Sequence, residues 1–237
     1  MTEDRQSGYA VRCEWGPHGA AASTADTAVI VDVLSFSTCV DVALVRCAAV
    51  FPFPYRDQRA VVFAERHAAV LAGSRSSGGP SLSPDSLAMV EPGSTLVLPS
   101  PNGAEVSLAA RGQRIFTACL RNADAVAHRI AELGGTVSVI PAGERWPDGG
   151  LRPVIEDLIG AGAVIHRLKG DRSPEAGVAE AAYLYARDDI GLVLNDCASG
   201  RELAAMGFSQ DVARAAEVGA SACVPVMIDG AYRRWSA

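Results

Sequence analysis

The segment AVIVDVL, residues 28–34, constrains the fold of this chain more than any other. It is apolar apart from Asp32, which is typical of a strand that helices cover on both faces. Other apolar runs of about five residues alternate with segments whose apolar residues have helical spacing. This alternation predicts an α/β fold with three layers (α/β/α) around a largely parallel or mixed sheet. We expect residues 1–237 to form a single α/β unit, and the sequence leaves open a division into two closely packed subdomains.

The same pattern predicts individual elements. Strands are expected at residues 9–14, 28–34, 48–53, 95–98, 114–120, 136–141 and 222–228. Helices are expected at residues 36–47, 58–71, 122–133, 199–206 and 209–217, and others should begin near residues 102, 153 and 174. Residues 73–94 are rich in Gly, Ser and Pro and should form a long loop.

Composition excludes several classes of function. The net charge is -6, and the only adjacent Lys or Arg residues are Arg233 and Arg234, so we expect no nucleic-acid partner. The polar opening MTEDRQSGYA and the shortness of every apolar run predict no signal peptide, no membrane partner and a cytoplasmic location. The six cysteines are scattered without a CxxC pair, which favours buried reduced thiols over zinc ligands. The sequence leaves a homo-oligomer open.

Polar residues recur where predicted strands lead into helices, and ligands of such sheets bind outside the carboxyl ends of the strands. A helix N-terminus with unpaired N–H groups suits a phosphate or a sulfonate. The candidate positions are Asp32 with Ser35, Ser37 and Thr38; residues 100–103, which include Asn102 and Gly103; Arg121 with Asn122; and residues 143–145, which include Glu144. Several of these residues also match helix-capping patterns, namely Ser35, Asn102 with Glu105, Asn122, and Ser199 with Glu202.

Asp32 is the most informative single residue. An acid at the end of an apolar strand is costly unless it pairs with a cation or with hydrogen-bond donors. We therefore interpret it as a metal ligand or a nucleophile; the alternative is an Asp that caps its own turn. Glu156 and Asp157 fall in the first turn of a predicted helix, where the helix dipole alone would favour acids. With Asp32 and Glu144, they could supply the oxygen ligands that Mg²⁺ prefers.

Two arginines could bind an anionic substrate. Arg121 and Arg201 each follow a small or polar turn and could form bidentate contacts, although a surface position is the commoner fate of arginine. The four histidines are isolated and lack metal-binding spacing, so we expect them to be non-catalytic.

Seven short motifs occur in an order that resembles the 2-phosphosulfolactate phosphatase family. Together they extend over nearly the whole chain, from about residue 9 to residue 230. They are DVLSFST (32–38), SPNG (100–103), RNADAVA (121–127), AGE (142–144), EDLIGAGAVI (156–165), SGRELAAMGF (199–208) and VPVMIDG (224–230).

The resemblance implies a three-layer α/β fold and magnesium-dependent hydrolysis of a phosphate monoester, with 2-phospho-3-sulfolactate as the family's substrate. The residues at its motif positions are Asp32, Ser37, Thr38, Asn102, Gly103, Asn122, Glu144, Glu156, Asp157 and Arg201. The chain departs from the family where the pattern DVLRAST has Arg and this sequence has Ser35. It also has residues 74–77 (SRSS) in place of an ERGG-like stretch, and a shortened segment after them.

These observations lead to a mechanistic hypothesis. Mg²⁺ held by Asp32 with Glu144, or with the acids at 156 and 157, would polarise the phosphoryl group of a small anionic substrate. Amides at residues 36–38, together with arginine, would neutralise its oxygens, since phosphoryl transfer depends mainly on positioning and electrostatics. Asp32, Glu144 and Arg201 are thus the candidate catalytic residues. Whether a metal-bound water or Asp32 attacks is open.

Three alternatives remain. A haloacid-dehalogenase-like phosphatase would need a second Asp two residues after Asp32, where the chain has Leu34. A non-catalytic protein of the same fold could bind an anionic metabolite, and Ser35 in place of Arg favours it. A magnesium enzyme could also act on another phosphorylated acid, with the 73–94 segment as a specificity element.

Overall fold

The computed structural model describes residues 5–110 and 114–236. The first four residues of the polar opening, and residues 111–113, lie outside this description. Within the described residues the chain forms eleven strands and eleven α-helices. The strands are β1 (Val11–Cys13), β2 (Thr27–Val31), β3 (Ala49–Phe53), β4 (Val70–Leu71), β5 (Thr95–Pro99), β6 (Arg114–Ala118), β7 (Val137–Pro141), β8 (Glu144–Arg145), β9 (Leu151–Arg152), β10 (Pro225–Ile228) and β11 (Ala231–Arg234).

The helices follow most of the strands along the chain. None of those in the described ranges combines the length and the apolar character that crossing a membrane would need. They are α1 (Gly16–Ala22), α2 (Phe36–Ala43), α3 (Gln58–Arg66), α4 (Pro84–Leu87), α5 (Gly103–Ala109), α6 (Ala123–Leu133), α7 (Ile155–Arg167), α8 (Pro174–Ala186), α9 (Ile190–Asp196), α10 (Ala198–Ala205) and α11 (Ser209–Ala215).

Nine of the described strands form one sheet in the order β1-β7-β2-β6-β10-β11-β3-β5-β4. Two blocks of it are parallel: a first block of β1, β7, β2 and β6, and a second block of β3, β5 and β4. The antiparallel hairpin β10–β11 lies between them and pairs antiparallel with β6 on one side and β3 on the other. Three reversals of direction separate the blocks, so their strands run in opposite directions. The prediction of a mixed sheet is confirmed.

Helices cover both faces of the first block, as the apolar character of β2 predicts. Side chains alternate along a strand between the two faces of a sheet. Val29 and Val31 of β2 therefore belong to a core cluster with residues of α6, α7 and α8. Ala28 and Ile30 belong to another cluster with residues of α1 and α5. All four are fully buried, which confirms the three-layer arrangement.

The second block has its own core. Val50 of β3 and Leu96 of β5 pack in a cluster with residues of α2 and α4. On β3, the neighbouring positions Phe51 and Phe53 instead contact Phe63 of α3 through their rings. The alternation of side chains along β3 thus also gives this block two covered faces.

Several element predictions need correction. The helix predicted over residues 58–71 ends at Arg66, and the chain re-enters the sheet as β4. The loop predicted over residues 73–94 contains a short 3-10 helix, Arg75–Ser77, and α4. Helices α1 and α9 and strand β11 were not predicted, because each is short and lacks a clear apolar period.

Candidate active site

A small pocket of about 160 Å³ lies where strand ends of the two blocks meet, and we call it the Asp32 pocket. Residues that follow β2, β3, β5 and β7 all contribute to its wall. The polar side chains that line it are Asp32, Ser35, Arg56, Arg75, Ser100, Asn102, Glu144, Ser199 and Glu202. The pocket thus combines acids with two arginines.

Asp32 follows β2 directly and is 5% exposed. Its Oδ1 accepts a hydrogen bond from the backbone amide of Phe36 at 3.0 Å, and its Oδ2 accepts one from the amide of Gly103 at 2.8 Å. These amides begin α2 and α5, so the carboxylate binds the N-terminal ends of helices from two parts of the chain. Asp32 therefore pairs with donors, as a buried acid must.

The environment of Asp32 shifts its titration. Burial raises its pKa to about 6, and the nearby charge of Glu156 adds to the rise. The amides of Phe36 and Gly103 and the charge of Arg75 act in the opposite direction. Burial dominates because it removes water from the ionised form.

Asp157 in the first turn of α7 connects two loops of the site. Its Oδ1 accepts a hydrogen bond from the amide of Val33 at 2.8 Å, and its Oδ2 accepts one from Gly143 at 2.9 Å. Burial raises the pKa of Asp157 well above its ordinary value, and the charges of Asp32 and Glu156 raise it further. Asp157 thus fixes the segments after β2 and β7 in place, and its neighbour Glu156 is 2% exposed beside it.

Glu144 begins the small hairpin β8–β9 at the edge of the pocket. The guanidinium of Arg152 on the opposite strand pairs with its Oε2, and the hydroxyl of Ser199 donates to its Oε1 at 3.3 Å. The residue before it, Gly143, has a φ of +67°, which favours glycine. A Cβ at Gly143 would also lie 2.9 Å from the carbonyl oxygen of Arg152. The backbone of this turn therefore places the Glu144 carboxylate at the pocket.

Arg75, from the segment after β4, reaches into the pocket and was not predicted. Its Nη2 donates to Ser35 Oγ at 3.0 Å, and its Nε pairs with Asp211 at 3.3 Å. Asp211 is fully buried and also accepts a 2.6 Å hydrogen bond from Ser83. A guanidinium thus contacts the side chain of Ser35, the position at which the family pattern has Arg.

Arg56, three residues after β3, is the second arginine of the pocket, and sequence reasoning also missed it. Within residues 5–110 and 114–236, its side chain has no hydrogen bond or ion pair. Burial and the charge of Arg75 lower the pKa of Arg56, while the charge of Asp32 raises it. Its place directly after a predicted strand was the available signal.

Other predicted site residues serve the fold and do not line the pocket. Ser37 Oγ bonds with Thr117 at 2.7 Å, and Thr38 Oγ1 donates to the carbonyl of Val33 at 2.8 Å. The amides of Phe36 and Ser37, expected to neutralise an oxyanion, donate instead to Asp32. The hydroxyls of Ser37 and Thr38 are both fully buried, so they need hydrogen-bond partners within the protein.

The two predicted binding arginines also lie elsewhere. Arg121 pairs with buried Asp41 at 2.9 Å and with Glu217, so its charge is already compensated. Arg201 is exposed and donates to the carbonyl of Asp196. We do not retain either arginine in the site.

The predicted caps do not form the expected side-chain capping hydrogen bonds. The residues Ser35, Asn102 and Asn122 precede their helices but form no side-chain capping hydrogen bond. Asn122 instead accepts a 2.8 Å hydrogen bond from the amide of Cys119. Helix α10 begins one residue earlier than predicted, with Cys197 as its cap, so Ser199 is free to contact Glu144. Of the four predicted caps, Ser35, Asn102 and Ser199 line the pocket.

The four predicted metal ligands do not all surround a single site. In the described part of the chain, no three His, Cys, Asp or Glu side chains converge as they would around a metal ion. Neither Asp157 nor Glu156 lines the pocket. Asp32 and Glu144 do line it. This pair fits Mg²⁺, which is commonly bound through one or two carboxylates, with waters and substrate phosphate completing its shell.

Comparison with known proteins identifies a family for the chain. A search among curated proteins finds no match. A sequence model of the family described as 2-phosphosulpholactate phosphatase matches residues 17–230 of the 237. This match includes the strands and loops that form the Asp32 pocket. The chain therefore belongs to the 2-phosphosulpholactate phosphatase family.

Proposed function

We propose that this protein is a magnesium-dependent phosphatase that hydrolyses the monoester of a small phosphorylated acid similar to 2-phosphosulfolactate. The observation that supports it most is the Asp32 pocket itself, where three carboxylates (Asp32, Glu144 and Glu202) and two arginines surround a space of about 160 Å³. A space of this size accommodates a small metabolite. The membership of a phosphatase family supports the reaction type.

The carboxylates Asp32 and Glu144, and the amides that hold Asp32, each have a defined task in this proposal. Asp32 and Glu144 provide oxygen ligands for Mg²⁺, which when bound stabilises the charge on the phosphoryl oxygens. The amides of Phe36 and Gly103 hold both oxygens of Asp32, so the carboxylate cannot rotate. Positioning of this kind is the main contribution that a protein makes to phosphoryl transfer.

A non-catalytic binding protein is less well supported. That alternative depends on Ser35, because replacing Arg there would remove a charge from an anion site. Arg75 Nη2 lies 3.0 Å from Ser35 Oγ, so the pocket keeps a guanidinium beside that position. This guanidinium weakens the argument that Ser35 gives for a binding protein without activity.

Phosphate release tests the proposal. The purified protein is incubated with 2-phosphosulfolactate and with 2-phospholactate, in magnesium chloride or in EDTA. We expect release that requires magnesium and that falls at least about 100-fold in Asp32→Asn, since this variant loses the charged ligand. The matched control is Asp124→Asn, because Asp124 is exposed and pairs with Arg167 at the surface. Equal release in EDTA, or full turnover by Asp32→Asn, would refute the proposal.

A further inference from the structure

A second cavity, of about 250 Å³, adjoins the Asp32 pocket, and we call it the Trp15 pocket after the indole in its wall. Three residues, Pro101, Asn102 and Glu144, line both spaces. The other walls come mostly from the start of α1, from α5 and from the hairpin β8–β9. The proposed phosphatase mechanism uses only the smaller of the two spaces, so the larger one needs an explanation.

The walls of the Trp15 pocket are mainly apolar, as is usual for sites that bind small molecules. Their apolar side chains include Trp15, Pro17, Val106 and Leu151. An apolar cavity of about 150 Å³ is enough to hold benzene. The Trp15 pocket can therefore hold a ring of that size, and the indole gives such a ring an aromatic surface to pack against.

Leu151 holds the hairpin wall of this pocket in place. Its side chain packs against two glycines with positive φ, Gly16 at +63° and Gly143 at +67°. A Cβ would lie 3.2 Å from Leu151 Cδ1 at Gly16 and 2.8 Å from it at Gly143, so both positions favour glycine. Within the hairpin, the amide of Trp146 donates to the carbonyl of Gly150 at 2.8 Å. The cavity is thus formed before a ligand enters, which lowers the entropic cost of binding.

The acids and the arginine that line the Trp15 pocket are already paired within the protein. Glu105 of α5 pairs with Arg145 of β8, and Glu144 pairs with Arg152 of β9. The other ionisable residue of the lining, His18, is exposed to solvent at the rim. A neutral group therefore enters without separating an ion pair, whereas an anion would have to compete with a carboxylate for its arginine. The charge balance favours a neutral ligand group.

We propose that the Trp15 pocket binds a neutral apolar ring on the alcohol part of the substrate while the Asp32 pocket holds the phosphate. Because Pro101, Asn102 and Glu144 line both spaces, a single molecule can reach from one into the other. This inference rests on the proposed function and specifies the part of the substrate beyond the phosphate ester. Trp15 is then a specificity-determining residue, and the enzyme prefers esters that carry a ring.

A matched pair of substrates tests the ring site. 2-Phospho-3-phenyllactate and 2-phospholactate differ by one phenyl group. With magnesium chloride, the wild type should have a kcat/KM for the phenyl ester at least about ten times that for 2-phospholactate, as expected for burial of a ring. In Trp15→Ala this ratio should fall at least about fivefold, mainly through the KM of the phenyl ester, while Trp15→Phe, which keeps an aromatic wall, should retain more of it.

Trp146→Ala is the matched control. Trp146 lies on the same hairpin but outside the residues that line the pocket, and it is 53% exposed. Its ring lies 5.5 Å from the guanidinium carbon of Arg152, which pairs with Glu144. A disturbance transmitted through this arginine would change the hydrolysis of both substrates alike. The control should therefore keep the wild-type ratio.

Binding measured without hydrolysis separates this inference from the proposed function. Calorimetry with 2-phosphono-3-phenylpropionate and 2-phosphonopropionate, in magnesium chloride, compares the same two shapes without a scissile ester. We expect the wild type to bind the phenyl compound at least about tenfold more tightly and Trp15→Ala to lose most of that preference. If the preference holds while no ester is hydrolysed, the ring site stands and the proposed function fails.

Other results would overturn the ring site. A wild type that hydrolyses or binds both members of a pair equally well has no pocket for the ring. A folded Trp15→Ala variant that keeps the wild-type preference in both assays would show that the ring binds elsewhere. Thermal unfolding shows whether this variant folds, and if it does not, Leu151→Ala removes another apolar wall and should lower the ratio in its place. An unchanged ratio in Leu151→Ala would then refute the inference.

Discussion

Oδ2 of Asp32 accepts a 2.8 Å hydrogen bond from the backbone amide of Gly103. This bond joins the end of β2 in the first block to the start of α5, which follows β5 in the second block. Those two strands run in opposite directions and do not neighbour each other in the sheet. The contact therefore fixes the distance between the two blocks at the centre of the site.

Gly103→Ala should disturb this contact directly. A Cβ at position 103 would lie 2.7 Å from Asp32 Oδ2 and would collide with the ring of Phe36. We expect a loss of about 1–3 kcal/mol in the free energy of unfolding, typical of overpacking, and a fall in phosphatase activity larger than the loss of folded protein explains. Urea unfolding and phosphate release measure the two effects.

Gly177→Ala is the matched control for that variant. Gly177 lies in α8, has an ordinary helical environment and has open space where a Cβ would stand. This change should stabilise the protein by about 0.5–1 kcal/mol, because alanine loses less backbone entropy in a helix. Equal stability of the two variants would contradict the role assigned to Gly103.

The pKa of Asp32 predicts how stability depends on pH. Burial raises this pKa to about 6 from the ordinary value of 3.8, so the folded state holds a proton that the unfolded state releases between these values. Stability should therefore fall as the pH rises from about 4 to 6, by about 1.4 kcal/mol for each unit by which the two pKa values differ.

Asp32→Asn isolates this contribution. The asparagine does not titrate, so the free energy of unfolding in EDTA should fall less steeply with pH in the variant than in the wild type. The absolute stability of the variant should also be lower, since one amide of Phe36 or Gly103 loses its acceptor. Identical slopes for the two proteins would show that the carboxyl titrates normally.

Asp157→Asn tests the link between the segments after β2 and β7. An asparagine presents one oxygen and one NH₂ group, so it can satisfy the amide of Val33 or that of Gly143 but not both. We expect a loss of about 1–3 kcal/mol in stability for the unpaired buried amide. If Glu144 moves by about 1 Å as a result, activity should fall by about 100-fold. Kinetics at saturating magnesium measure this effect.

The control for that change is an exposed carboxylate with a similar backbone contact. Asp148 accepts a 2.9 Å hydrogen bond from the amide of Gly150 at the surface. Asp148→Asn should alter stability by less than about 0.5 kcal/mol, since water can replace the contact. A similar cost for both variants would contradict a structural role for Asp157.

The cysteines should be unreactive in the folded protein. All six are buried free thiols, and burial raises the pKa of Cys13, Cys119, Cys197 and Cys223 to about 12. Because the thiolate is the reactive form, iodoacetamide at pH 8 should add no mass to the native protein and six adducts in guanidinium chloride. Rapid labelling of native protein would show that a cysteine is exposed.

The apolar strands of the sheet could be predicted because they are long enough to show a pattern. β2, β3, β5, β6 and β7 each contain five residues and were all expected. β4 contains two residues and no pattern separates it from the preceding helix. The pairing of β10 and β11 between the blocks depends on contacts across the whole chain, which local periodicity does not record.

The site likewise combines residues that a local sequence pattern predicts with residues that it does not. Asp32, Ser35, Asn102 and Glu144 line the pocket as strand-end residues, which the general rule for α/β sheets anticipates. Arg56 and Arg75 line it from segments that follow strands of the second block. No motif marks Arg56, and Arg75 lies where the family has an ERGG-like stretch, to which no role was assigned. Arg121 and Arg201 were predicted because each follows a small or polar turn, but the acid Asp41 and the carbonyl of Asp196 occupy their guanidinium groups.

The hairpin β10–β11 has a consequence for how the active site is held together. The two blocks touch the same hairpin but not each other within the sheet, and the hairpin contributes no side chain to the pocket. Val226 of β10 is buried in the core of the first block, and Tyr232 of β11 is buried in the core of the second. A substitution in this hairpin, far from the chemistry, would then reduce catalysis by letting the two halves drift apart.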